Sequence, residues 1–282
     1  MAKLFKGAEV NAELNARIQA DVEALKARGV FPKLGIVRVG ERPDDLSYER
    51  GAVKRAETLG VAVEKFLLPA DVSQEELLAV IERINHDDGI HGVLLFRPLP
   101  KHLDEERICN ALAPEKDIDG ITDLSNAGVF TGKKLGFAPC TPSACMEILE
   151  HYGVDCKGKK AVVVGRSLVV GKPAAMMLLQ RHATVTVCHT RTTDMPAVCR
   201  EADILIVAAG KAGVMNADFV RPGQIVIDVG INWNEEKQKL CGDVDFDAVE
   251  PIVEAITPVP GGVGTVTTSV LISHVVQAAM NK

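Results

Sequence analysis

Residues Ala161 to Pro173 read AVVVGRSLVVGKP: an apolar, β-branched run breaks at Gly165 and restarts after Gly171. A buried parallel strand has this pattern where it turns into a helix N-terminus. The free amides and positive dipole end of such a helix suit an anion, and glycine lets backbone and phosphate approach closely. The segment therefore reads as the seat of a dinucleotide pyrophosphate. It is not a strict G-x-G-x-x-G, because Ser167 stands at the second glycine and the last glycine comes one residue late. A glycine at such a turn also serves packing alone, so the segment by itself leaves both readings open.

The next strand adds weight. Thr184 to Cys188 (TVTVC) alternates and is β-branched, and His189-Thr190-Arg191 follow its C-terminal end. An NAD site usually carries a carboxylate there for the ribose 2′-OH, whereas an arginine with hydroxyl neighbours suits a 2′-phosphate. The residues favour NADP over NAD. The alternative is that Arg191 is an ordinary solvated charge.

The elements that position these groups alternate. Apolar spacing predicts a helix from Val10 to Arg28, closed by Gly29, and a strand at Lys33 to Val39. A helix over Pro43 to Leu59 and a strand over Val61 to Leu68 follow. Ser73 with Glu76 forms a capping box for a helix through Ile84, and Gly92 to Phe96 is a buried strand. This βα alternation predicts a parallel sheet covered on both faces. Pro98 to Pro142 reads as long and irregular, the expected domain junction and substrate cleft, running into a helix near Ser143 to Tyr152. Strands at Ala161, Thr184, Ile204 to Ala208 and Ile225 to Val229 then predict a doubly wound, Rossmann-type second domain. A final amphipathic helix, about Thr267 to Met280, is placed to pack back on the first domain. The expected division is residues 1–121 with about 266–282 for one α/β domain and 122–265 for the other.

The 282 residues, 47% of them apolar, suffice for two full cores, and a net charge of −6 argues against nucleic acid or anionic membrane as partner. A small molecule is the expected partner. Seven scattered cysteines without C-x-x-C spacing read as reduced thiols, and no metal site is apparent. No run approaches a membrane span and the N-terminus lacks a leader, so a cytoplasmic protein is expected.

The stretches VGERPDDLSYERGAVKRAETLGV, PLPKHLDE, PEKDIDG, PCTP, GRSLVVGKP, TVTVCHTRT, GDVDF and PVPGGVG stand in an order and spacing that resembles the methylenetetrahydrofolate dehydrogenase/cyclohydrolase family over nearly the whole chain. The resemblance implies a folate-binding domain, an NADP-binding Rossmann domain, a cleft between them and a homodimer. The implied reaction is oxidation of 5,10-methylenetetrahydrofolate to the 5,10-methenyl form, which many members then hydrolyse to 10-formyltetrahydrofolate. Tyr48 matches the family tyrosine near the one-carbon centre, and Asp119 the carboxylate that grips the pterin by accepting paired N–H bonds. Gly165, Arg166, Ser167 and Gly171 carry over to the cofactor phosphates, Thr190 with Arg191 to the 2′-phosphate, and Thr141 and Gly230 to the nicotinamide end. Asp243 and Pro260, Gly261 and Gly262 fall in loops over the cleft.

Three positions depart from the family. Its catalytic lysine, one helical turn after the tyrosine, is Ala52 here, and its partner glutamine, two residues before PLP, is Phe96. Lys54, six residues beyond Tyr48, turns away from that face at about 100° per residue. Arg97 is expected on the side opposite Phe96 if the strand persists. Thr265 stands where the family has proline after GGVG. Hydride transfer needs two aligned rings, whereas hydrolysis needs a positioned acid/base. The expected activity is therefore a dehydrogenase with a weak or absent cyclohydrolase step. The alternatives are a fully bifunctional enzyme with another base, and a folate- and NADP-binding protein without catalysis.

Overall fold

The computed structural model describes residues 1–235 and 238–281. A two-residue strand, β1 (Lys3–Leu4), precedes α1 (Gly7–Ala27), and the anticipated alternation follows: β2 (Lys33–Val39), α2 (Pro43–Thr58), β3 (Ala62–Leu68), α3 (Gln74–His86) and β4 (Gly92–Leu95). Both halves of the α3 capping box form: Ser73 Oγ accepts from Glu76 N at 3.2 Å, and the Glu76 carboxylate accepts from Ser73 N at 3.0 Å. The stretch read as irregular holds α4 (Glu105–Ala111), a 3-10 turn (Pro114–Lys116), α5 (Asp123–Thr131) and the start of α6 (Cys140–His151). The two shorter helices are capped by Asp104 and Thr122, and neither is long enough to display a clear apolar period.

The chain continues through β5 (Lys160–Val164), α7 (Gly171–Gln180), β6 (Thr184–Cys188), α8 (Met195–Arg200), β7 (Ile204–Val207) and β8 (Ile225–Asp228). It ends with a hairpin of β9 (Asn232–Asn234) and β10 (Lys239–Cys241), then α9 (Phe246–Val249), β11 (Ala255–Ile256) and α10 (Val263–Met280).

Two α/β units result. One comprises residues 13–140 and 268–282, around a parallel sheet in the order β3-β2-β4. β4 and nearly all of β2 are buried, with Val37, Leu77, Ile81, Ile84, Val93 and Ile108 in one core cluster. The other comprises residues 1–12 and 141–267, around a parallel sheet in the order β1-β11-β8-β7-β5-β6. Its order reverses at β5, with β6 on one side and β7 and β8 on the other. That is a topological switch point of the Rossmann kind.

The division falls elsewhere than at residue 121. Residues 122–140 stay with the first unit, where Asp117 accepts Ile121 N, Thr122 N and Ser125 Oγ at 2.6–2.9 Å and ties down α5. Residues 1–12 belong to the second, because β1 pairs in parallel with β11 at the edge of its sheet. The last helix starts earlier than expected and is buried on nearly every side rather than amphipathic. Contrary to the sequence reading, it is long and apolar enough to cross a membrane, but it serves as a core helix, with Val275 packed near Gly92.

Candidate active site

Helix α2 carries Tyr48 on an exposed side and Asp45, Glu49, Ala52 and Ala56 on a buried one. Glu49 is held between Arg38 of β2 at 2.7 Å and Lys65 of β3 at 2.8 Å. Burial works against its charge, but hydrogen bonds and charges from Lys65 and Arg38 outweigh it and keep the carboxyl below its ordinary pKa. This clamp fixes α2 on the sheet and so fixes Tyr48 next to it. β4 ends at Leu95, and Phe96 meets Tyr48 edge to face, with ring centroids 6.0 Å apart and planes at 83°. Tyr48 keeps 36% of its surface exposed, whereas Phe96 keeps 8% and Ala52 none. Burial around the tyrosine hydroxyl, then Asp119 and Cys140, push its pKa well above the ordinary value of about 10.

The PEKDIDG segment divides its charged residues between structure and site. The Lys116 ammonium, itself buried, donates to the Ile84 and Asp87 carbonyls at the end of α3, and Asp117 is consumed by α5. Asp119 is left half-buried, with a long 3.5 Å contact from Cys140 N at the start of α6 and the Cys140 thiol beside it. Burial raises its pKa and Asp117 adds to the rise, while Cys140 and Arg97 act in the opposite direction. Cys140 Sγ donates to Ile118 O at 3.3 Å, and His274 Nδ1 reaches the same carbonyl at 2.8 Å, so the peptide bearing Asp119 is held from α6 and from α10. The strand does not persist to Arg97. The charge of Arg97 acts on Asp119 and Cys109. Lys54 is exposed, as its helical phase requires.

In the second unit, Gly165 sits at the C-terminal end of β5 with φ +133°, and a Cβ there would lie 2.3 Å from Ala208 O. A Cβ on Gly171 would lie 2.2 Å from Gly165 O, so both positions demand glycine. Ser167 Oγ accepts the amides of Val170 at 3.1 Å and Gly171 at 3.4 Å, shaping the turn into α7, and Arg166 is exposed beside it. Thr190 and Arg191 are exposed after β6, with Arg191 N donating to His189 Nδ1 at 3.1 Å. A tight glycine turn at the switch point, with Arg166 exposed beside it, fits a dinucleotide phosphate.

Gly230 packs against Asp243, whose carboxylate accepts from Gly210 N at 2.8 Å and Asn232 Nδ2 at 2.9 Å. It lines a cavity of about 210 Å³ with residues 258–265, including Pro260, Gly261 and Gly262. Thr265 Oγ1 donates to Gly262 O at 2.7 Å, so the residue in place of proline ties this loop to the first turn of α10. Thr141 lies half-buried in the first turn of α6.

Of the residues singled out in sequence, Tyr48, Phe96 and Asp119 come together in the first unit. Arg166, Ser167, Gly165 and Gly171 form one loop in the second, and Gly230 joins Pro260 to Gly262 in one cavity. Cys140 was missed as a neighbour of Asp119, and only the PCTP motif hinted at it. The seven cysteines are free thiols, and the described residues contain no cluster of three or more metal-ligating side chains.

Comparison with known proteins covers both units. Residues 5–119 match the tetrahydrofolate dehydrogenase/cyclohydrolase catalytic domain, and residues 139–282 match the NAD(P)-binding domain of the same description. The bifunctional protein FolD of Carboxydothermus hydrogenoformans is 54% identical over 279 residues, 99% of this chain and 97% of the relative. That of Clostridioides difficile is 52% identical over 276 residues, 98% and 96% of the two chains. Among solved structures, the bifunctional FolD of Campylobacter jejuni superposes with a TM-score of 0.96 at 39% identity, covering 100% and 99% of the two chains. The Trypanosoma brucei FolD, solved with NADP cofactor and an inhibitor, gives 0.92 at 33% identity over 99% and 98%.

Proposed function

Since the chain belongs to the tetrahydrofolate dehydrogenase/cyclohydrolase family, we propose that it oxidises 5,10-methylenetetrahydrofolate to the 5,10-methenyl cation with NADP, and that its hydrolytic step is weak or absent. NADP, when bound, supplies the hydride acceptor. The loop from Gly165 to Gly171 holds the phosphates with Arg166 on its rim, and Thr190 with Arg191 receives the 2′-phosphate. Asp119, ionised, accepts the paired N–H donors of the pterin, and the Tyr48 ring lies along the folate. The loss of hydride is driven by the neighbouring ring-nitrogen lone pair of the substrate, so the protein's share is alignment, and it needs no lysine.

Hydrolysis is different. A water must lose a proton as it attacks, and a departing nitrogen must gain one. The observation that carries the reading is the pairing of Tyr48 with Phe96 beside a fully buried Ala52. Where the family pattern has an ammonium and its amide partner, this chain has a methyl group and a ring, and a tyrosine whose pKa is pushed up is a poor base. Lys54 is exposed, and Arg97 acts on Asp119 and hydrogen-bonds the Cys109 thiol.

The test is a paired assay on one preparation. NADPH should form from methylenetetrahydrofolate, while loss of the methenyl absorbance should run no faster than the spontaneous rate. Rapid methenyl loss would restore the bifunctional reading that the relatives' names carry, and binding without NADPH would leave a folate-binding protein.

We further propose a homodimer. Trp233 and Leu240 face each other across the β9–β10 hairpin and are 52% and 40% exposed, with Ile231 at 63%. Such a row of bare apolar side chains suits a second copy of the same face. Light scattering should give twice the 30.2 kDa chain mass, and W233D together with L240D should halve it while NADP still binds. A native monomer would end this proposal.

A further inference from the structure

His274 is a buried imidazole on α10 that the proposed chemistry does not use. Its Nδ1 lies 2.8 Å from the carbonyl oxygen of Ile118 and 3.8 Å from Cys140 Sγ. A carbonyl only accepts, so the imidazole proton belongs on Nδ1. The Phe137 ring lies against the imidazole, with centroids 5.0 Å apart and planes at 32°. The segment that carries Phe137 also presses on the far side of Asp119: a Cβ on Gly120 would lie 2.8 Å from Phe137 O and 2.6 Å from Pro139 N. Ile118 is packed in turn on Gly92, where a Cβ would lie 2.4 Å from Ile118 Cγ2. The residues on both sides of Asp119 are thus clamped. The imidazole also decides where the neighbouring thiol turns. Cys140 Sγ stands 3.3 Å from Ile118 O and beside the Asp119 carboxyl. A carboxylate is the stronger acceptor, and with Ile118 O served by Nδ1–H the thiol proton is free for it.

Resting on the reading of Asp119 as the pterin grip, we propose that His274 is a positioning residue of that grip: its Nδ1–H holds the Ile118 carbonyl, sets the direction of the Asp119 carboxylate and leaves the Cys140 thiol to hydrogen-bond it. The last helix thereby sets how firmly the pterin is held. The groups that face Asp119 are the Cys140 thiol, Arg97 after β4, Asp117 in its own loop and Tyr48 on α2. His274 faces Asp117 and Cys140. A donor to the carboxylate lowers its pKa. Without the imidazole the thiol turns to the vacated carbonyl, Asp119 loses that donor, and the acid limb of KM moves to higher pH.

The experiment compares H274N, H274Q and H274L by KM and kcat for methylenetetrahydrofolate across pH. The dissociation constant of 5-formyltetrahydrofolate, the thermal midpoint and NADP affinity are measured alongside. An asparagine amide nitrogen falls where Nδ1 stands, whereas that of glutamine falls nearer Nε2. H274N should therefore stay within about threefold of the native KM, and H274Q and H274L should raise it roughly 5- to 30-fold with kcat little changed, the worth of one buried donor. In H274Q and H274L the acid limb should move up. C140A should move it likewise, and adding H274Q to C140A should move it no further, because both act through one thiol. Equal KM for all three variants, losses that follow the thermal midpoint alone, or a limb that stays in place overturn the role of His274 while leaving the dehydrogenase intact. A limb that disappears in H274Q belongs to the imidazole itself and overturns the proposal likewise. If H274L does not fold, the contrast of asparagine with glutamine decides. A native protein that binds no folate overturns the grip beneath the proposal.

Discussion

The double substitution A52K with F96Q is expected to accelerate methenyl hydrolysis by about 100- to 10,000-fold over the native protein, the usual worth of a positioned acid/base. A52K alone should gain far less and should lower the thermal midpoint. Residue 52 is fully buried on the sheet-facing side of α2, and the nearby Phe96 ring offers no acceptor. A lone ammonium there would pay its desolvation without compensation, and its charged form would be disfavoured. The glutamine supplies the missing acceptor, so the two changes should be strongly non-additive, as contacting residues are. The check is the initial rate of methenyl absorbance loss for the native protein, each single variant and the double. A folded double variant that binds NADP and oxidises the methylene compound, yet hydrolyses no faster than the native protein, would show that the missing pair is not what limits hydrolysis.

D119N should raise the KM for methylenetetrahydrofolate roughly 30- to 1000-fold, in keeping with the cost of removing one partner of a desolvated charged hydrogen-bond pair. The asparagine has almost the same shape, but it turns one acceptor into a donor facing donors. NADP affinity should hold, because the phosphate loop belongs to the other unit. The pH dependence has a definite sign. Burial raises the Asp119 pKa, and the proposed grip requires the ionised carboxylate. As pH falls through that raised value the carboxyl protonates and KM climbs, at a pH above the usual range near 3.9. D119N should flatten this acid limb. A KM profile that keeps the limb in D119N assigns it to another group.

Much of this architecture was legible because local signals agreed with tertiary ones. β2 and β6 occupy the residues read as strands, and the Ser73–Glu76 pair forms the cap its spacing announced. The turn from β5 into α7 was legible for a similar reason, since only glycine satisfies the backbone crowding at 165 and 171. What escaped was held in place from a distance. β1 is two residues long and has no period to read, and it exists because β11 lies beside it. The helices between Pro98 and Pro142 are short and depend on Asp117 and on caps. Asp119 was visible as a carboxylate in a motif, but its neighbour Cys140, 21 residues away, belongs to another helix. Lys116 looks like part of the same charged motif, yet it caps α3. Charge in a sequence does not say which charges are spent on the fold.

The path of the chain through its two units limits how the gene can be cut. Neither unit is one continuous stretch: the unit with Asp119 needs residues 268–282, and the unit with the Gly165–Gly171 turn needs residues 1–12. A clone ending at residue 140 would lack Val275 from its core and His274 from the carbonyl of Ile118, leaving the peptide before Asp119 half-held. A clone starting at residue 141 would lose β1 and bare the edge of β11, an invitation to pair with other chains. On the ribosome the same wiring means that the unit built on residues 13–140 is not finished until residues 268–282 emerge. The half that carries Asp119 is therefore drawn from two stretches that 127 residues of the other unit separate, 141–267.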